Sequence, residues 1–266
     1  MKIITFDSST KALTVALAQT RDELTPVELS EASLEPGDFT IMAAVTTLGK
    51  RQHGETLAPA IHTILDQVDW KMSDVDAVVV GVGPGSYTGM RIGVTFAKVW
   101  ANSAKLPLYS VSSLALVAAS APVQSDFVIP IMDARRQTAY TGLYAFEGET
   151  AVAVEPDQHI KFEVWLAKIK THIKVGSRVT LVGTDIAEFV EMTEKQLNGV
   201  EINVIDGWES YPHAVHAFGK VKWTHVEEPT LLVPFYAHAT VAEQEWAQRV
   251  EGVDTEPNPD DLIDFK

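Results

Sequence analysis

Gly81, Gly83 and Gly85 follow directly on a run of valines, and Gly89 falls in the first turn of the helical pattern that comes next. The stretch reads VVVGVGPGSYTGMRIGVTFAKVW, Val78 to Trp100. Glycines between a buried strand and a helix let the backbone turn sharply and come close to a ligand or to another strand. The helix start beyond them exposes N–H groups that favour anions. Phosphate binding at Gly83 and Gly85 is therefore one chemistry open to this segment. It is not a Walker loop, which needs G-x-x-x-x-G-K-[ST]. It is not a dinucleotide fingerprint either, because Ser86 and Thr88 stand where the third glycine of G-x-G-x-x-G would fall. On spacing alone, an anion site and a bare strand-to-helix turn stand level.

The elements that position this loop follow from periodicity. Leu57, Ile61, Ile64, Leu65 and Val68 recur at spacings of three and four, so Thr56 to Val68 is a helix. The continuous valine run reads as a strand buried on both faces, which favours a parallel sheet. From Tyr87 to Ala104 a second helix carries one polar stripe, Arg91, Thr95, Lys98, Asn102 and Lys105, and nearly everything else on it is apolar or small. A helix lying on a sheet buries a stripe of somewhat over 100°. This apolar arc is wider, and its surplus requires a second helix or a partner chain. Strands alternating with helices give an α/β fold.

Two segments echo each other. ITFDSSTKALTVALA and IPIMDARRQTAYTGLYA each run strand, Asp, polar turn, strand, with Asp7 and Asp133 in matching places. This points to an internal duplication. Further on, RVTLVG is a strand, Asp185 with Glu188 forms an approximate capping box for a helix, VEINVID is a strand and HAVHAFGKVKW a helix. Residues 21–42 are acidic and carry Pro26 and Pro36. The tail EPNPDDLIDFK is acidic and proline-bearing.

The 266 residues suffice for one large or two small domains, and 46% apolar content for a sizeable core. There is no apolar run long enough to span a membrane and no leader pattern, and with zero cysteines there is neither a disulfide framework nor a thiolate metal site. A cytoplasmic location is the default expectation. A net charge of −15 repels phosphate backbones as a whole, so any nucleic acid is met through another protein's basic surface.

RQHGETLAPAI, GVGPGSYTGMRIGVTFAK, PLYSVSSLALVA and MDARRQTAYTGLY resemble, in order and spacing, the bacterial TsaB (YeaZ) family of tRNA threonylcarbamoyladenosine biosynthesis proteins. The match is good over residues 1–20 and 44–145 and thin beyond. The resemblance implies two duplicated α/β lobes of the actin-like, Hsp70-like, sugar-kinase-like fold, here 1–107 and 108–230, with a terminal segment 231–266. It implies a non-catalytic subunit for N6-threonylcarbamoyladenosine (t6A) formation next to the anticodon of tRNAs reading A-starting codons. That subunit would pair with and activate the catalytic relative TsaD, and the ATPase TsaE would join them. tRNA would be met only through the complex, and a homodimer could form in isolation.

On this resemblance the partner-binding residues are His53, Leu57, Ile61, Met90, Val94, Ala97 and Ala101. Asp7 and Ser8 sit at the fold's first phosphate loop and Asp133 at the second. In active relatives such acids hold Mg²⁺ or orient water, whereas DSST could equally close a hairpin through Asx-type hydrogen bonds. No intrinsic cofactor is implied, and ATP or ADP with Mg²⁺ would lie at the partner interface. The metal-binding H-x-x-x-H of the catalytic relative has no counterpart, and His213 and His216, three apart, read as surface or helix-capping residues. Ala237 and His238 replace a Leu-Arg pair usual in the family. The alternative reading is a weak nucleotide hydrolase or a peptidase-like enzyme of the same superfamily.

Overall fold

The computed structural model describes residues 1–21, 29, 34–49 and 53–237. Half of the acidic segment 21–42, residues 22–28 and 30–33, together with His238 and the acidic tail, lies outside the described residues.

The first sheet begins with β1 (Lys2–Asp7), β2 (Ala12–Thr20) and β3 (Phe39–Leu48), an antiparallel meander. β4 (Ala77–Gly81) and β5 (Leu108–Val111) add to β1 in parallel. Two helices join the strands in sequence, α1 (His53–Gln67) between β3 and β4 and α2 (Tyr87–Ala104) between β4 and β5. After α3 (Ser113–Ala118), the second sheet repeats the scheme. β6 (Phe127–Asp133), β7 (Thr138–Glu147) and β8 (Thr150–Lys161) form the meander. β9 (Arg178–Val182) and β10 (Glu201–Ile205) extend it in parallel. α4 (Phe162–Ile169) and α5 (Ala187–Gln196) fill the places of α1 and α2. The strand order β3-β2-β1-β4-β5 is thus matched by β8-β7-β6-β9-β10, the duplicated architecture of the actin-like fold. A short β11 (Thr224–Val226) returns to pair antiparallel with β5.

The sheets do not divide at residue 107. β5 and β11, both placed in the second lobe by sequence, hydrogen-bond into the first sheet. Three cores hold the layers together. One lies between the first sheet and α1 and α2, built on Phe6, Val15, Ile61, Val78 and Val94. Another lies between the second sheet and α4 and α5, around Phe162 and Trp165. The third joins the two sheets through α3, all six of whose residues are buried.

Two expectations about local structure fail. Asp185 has a left-handed backbone (φ 57°), and α5 starts after Ile186 with no side-chain cap, so there is no capping box. HAVHAFGKVKW makes only one 3₁₀ turn and one short helical turn broken at Phe218 and Gly219. Gly219 holds φ 79° with its Cα packed on the Glu35–Pro36 backbone, where no side chain fits.

Candidate functional site

The glycine loop is a clamp on the β1–β2 turn. The Ser86 amide donates to the Ser9 carbonyl (2.5 Å), and the Ser8 hydroxyl donates to the Gly89 carbonyl (2.8 Å). A Cβ on Gly81 would collide with the Asp7 carboxylate, on Gly85 with the Ser9 carbonyl, and on Gly89 with the Ser8 carbonyl. Gly83 (φ 104°) sits against the Met90 sulfur and the Phe235 carbonyl, and its amide donates to the Ser113 hydroxyl at 3.0 Å. The glycines are there so that two backbones can touch.

Asp7 has no exposed surface. Its Oδ1 accepts from the Ser9 amide (2.8 Å) and hydroxyl (2.7 Å), and its Oδ2 from the Ser113 hydroxyl (2.5 Å). Ser8 is equally buried. Both oxygens of the carboxylate face protein hydroxyls and an amide, a set that does not fit a metal-bound phosphate. Of the five residues expected at an anion site, Gly85 and Asp133 line the cleft between the lobes, about 580 Å³, beside Lys11, Arg135, Asp185 and Tyr211. Asp7, Ser8 and Gly83 do not. Asp133 is exposed, and its carboxylate accepts from the Arg135 amide at 2.7 Å, an Asx turn.

Burial pushes the Asp7 carboxyl up, and the hydrogen bonds from Ser113 and Ser9 offset this only in part. The native state therefore holds that proton more tightly than the unfolded chain does. The stabilisation is full below the unfolded carboxylate's pKa and is lost as pH rises through the raised native value. Asp7→Asn keeps the shape and removes the charge. Urea titrations at several pH values should show that slope flattened in the variant.

The helix pair carries the open surface. His53 (6% exposed), Leu57 (2%), Ile61, Met90 and Val94 (1% each), and Ala97 and Ala101 (0%) are all buried in this chain. His53 Nε2 donates to the Thr10 carbonyl (2.7 Å), fixing the start of α1 to the same turn that the glycine loop grips. All seven pack into this chain's own fold, and Leu57 also lines the groove beside them. What they leave outside is a groove of about 570 Å³ between α1 and α2, walled by Ala58, Tyr87, Ile92, Thr95, Phe96 and Val99. Tyr87 is 49% and Val99 62% exposed. Arg91 lies over the Tyr87 ring (5.3 Å) and donates to its hydroxyl (3.1 Å), while Tyr236 stacks on that ring at 5.0 Å. The spacing Tyr87, Arg91, Thr95, Val99, each four apart, was the available signal for this face.

His213 and His216 are half-buried and stand at the N-cap positions of the two short turns, without side-chain capping bonds. Burial pulls the His216 imidazole down to about 4 against a bond to the Leu116 carbonyl, and His213 bonds the Trp208 carbonyl.

A family profile described as TsaD, tRNA N6-adenosine threonylcarbamoyltransferase, matches residues 42–206, well over half of the chain. The tRNA threonylcarbamoyladenosine biosynthesis protein TsaB of Bacillus subtilis (strain 168) is 34% identical over 79% of this chain and 90% of its own length. The chain belongs to the TsaB family. The TsaB protein of Escherichia coli (strain K12) is 27% identical, covering 80% of this chain and 74% of that one. YeaZ from Pseudomonas aeruginosa superposes with a TM-score of 0.65 at 22% identity over 88% of this chain and 99% of that one, which speaks to the fold. In this TsaB-family chain both α1 and α2 and the glycine clamp fall inside the profile match. No helix among the described residues is long and apolar enough to cross a membrane.

Proposed function

We propose that this chain is the non-catalytic subunit of t6A formation, docking on and activating TsaD through the groove between α1 and α2. The observation that carries the reading is the pairing of a closed first phosphate loop, Asp7 and Ser8 buried, with an open apolar groove on the neighbouring helices. A chain built for its own phosphoryl chemistry would turn the acid outward. This one turns it inward, where it holds Ser9 of the β1–β2 turn and Ser113 of α3. Exposed Val99 and Tyr87 beside half-buried Ile92 and Phe96 supply the apolar centre of an interface, with Arg91 at its rim. TsaE joins the pair, ATP or ADP with Mg²⁺ belongs at the partner interface, and two copies of this chain use the same groove when TsaD is absent.

Gel filtration with light scattering on the chain, on TsaD and on their mixture tests the pairing. A heterodimer peak in the mixture is expected, and separate elution of the two proteins contradicts the proposal. With a net charge of −15, the isolated chain should produce no shift of tRNA in a native gel at physiological salt, while the complex does. A shift by this chain alone would overturn the statement that tRNA is met only through the complex.

A further inference from the structure

Away from the groove and the cleft, and sharing no lining residue with either, a third cavity of about 560 Å³ opens between the ends of β4 and β5 and the strands β7 and β8. Its walls are apolar, from Val82, Val111, Ala115, Val152 and Phe235. One end is not. There Asp157 accepts from the Ser112 hydroxyl at Oδ2 (2.5 Å) and from the Tyr144 hydroxyl at Oδ1 (2.5 Å).

The local fold is irregular in a way that aims this acid. β8 gains extra residues against β7, since Thr141 pairs Gln158 while Leu143 pairs Glu155 and Tyr144 pairs Ala153. Such bulges redirect side chains. Gly142 makes the room, because a Cβ there would lie 2.6 Å from Asp157 Oδ1 and 2.9 Å from the Tyr144 ring. Tyr144 is itself buried, at 3% exposure, and Ser112 is held by accepting the Ala115 amide at 3.0 Å. The fold therefore fixes a carboxyl and two hydroxyls at the end of an apolar chamber, and the function proposed above uses none of them.

Proton bookkeeping sets the ligand chemistry. Both hydroxyl protons are committed to the carboxylate, so this end offers the cavity only acceptor lone pairs, on Asp157 and on the Tyr144 oxygen. A ligand must bring donors, and a positive charge would answer the carboxylate. Burial pushes the Asp157 carboxyl up against the two hydroxyl bonds that pull it down, and a cation beside it would relieve that cost. At the rim, Lys222 is paired with Glu147 at 3.5 Å.

We propose that this cavity binds a small primary ammonium compound with an apolar body, the ammonium donating to Asp157 and the Tyr144 oxygen and the body lying against Val111, Val152 and Phe235. Calorimetry on the full chain should compare 2-phenylethylamine, 2-phenylethanol and 3-phenylpropionate. The amine is expected to bind at least about tenfold more tightly than the other two, and Asp157→Asn to weaken it by about the same factor with an unchanged melting temperature. Ala153→Trp, at the exposed rim, is expected to block the amine by filling the chamber, and it stands in if Asp157→Asn fails to fold. No binding of the amine, equal binding of the three probes, or amine affinity that survives whichever of the two variants folds would overturn the proposal.

Discussion

Replacing Val99 with glutamate is expected to leave the chain folded and to remove its partner. Val99 is 62% exposed, so in the free chain the new carboxylate stays in water, and surface changes of that kind fall within about 0.5 kcal/mol. In a closed interface the same carboxylate is buried without a counter-charge, at about 3–5 kcal/mol, or upwards of about a hundredfold in affinity for TsaD. Five residues earlier on α2, Val94 is 1% exposed and packed on the first sheet. Val94→Glu carries a similar penalty into the fold itself, against a total stability of about 5–15 kcal/mol for a domain. It should lose the partner by unfolding, visible as a collapsed thermal transition. Circular dichroism melts beside pull-downs separate the two outcomes. A folded Val99→Glu that still captures TsaD at native affinity would remove the groove from the interface.

Gly89→Ala is the second large effect. In a helix, alanine is favoured over glycine by about 1 kcal/mol. Here the added Cβ meets the Ser8 carbonyl oxygen, a backbone atom that cannot swing aside, and the Ser8 hydroxyl is already bonded to the Gly89 carbonyl. Overpacking against backbone costs about 3 kcal/mol, so the clash wins by about 2 kcal/mol. Denaturant midpoints should fall accordingly. Gly54→Ala on α1, where a Cβ meets only Ile92 at 3.8 Å, serves as the control and should be neutral or stabilising. If Gly89→Ala were also neutral, the loop would not be the clamp described.

The sequence made some elements plain and hid others for identifiable reasons. α2 was readable to the residue, because its apolar spacing and the turn before it agree. The duplication was visible in the two strand–Asp–turn–strand segments, since side-chain alternation survives where identity does not. β8 was missed because TAVAVEPDQHIK breaks alternation at Glu155–Asp157, the very place where the strand bulges. The pairing of β5 with β4 and β11 is a long-range fact that no local pattern records. On α1 and α2, helix periodicity picked out positions that turn mostly inward, with Leu57 also lining the groove. His53, Leu57, Ile61, Met90, Val94, Ala97 and Ala101 are the apolar positions, and this chain's own sheet and turns claim them first. The outer face was masked because Arg91 and Thr95 make it look like an ordinary solvated stripe. Asp7 stood open by position between a phosphate loop and an Asx-type hairpin, and its two bonds from Ser9, its bond from Ser113 and its full burial fit the hairpin.

The central claim is that this chain contributes a docking surface rather than chemistry. The most direct measurement is t6A nucleoside, quantified by mass spectrometry after digestion of tRNA incubated with purified TsaD, TsaE, ATP and the remaining small-molecule substrates, with wild-type chain, with Val99→Glu, with Asp133→Ala, or with none. The expected result is modification with wild type and with Asp133→Ala, and loss of it with Val99→Glu or without the chain. Full modification with folded Val99→Glu, or its loss with folded Asp133→Ala, would contradict the account.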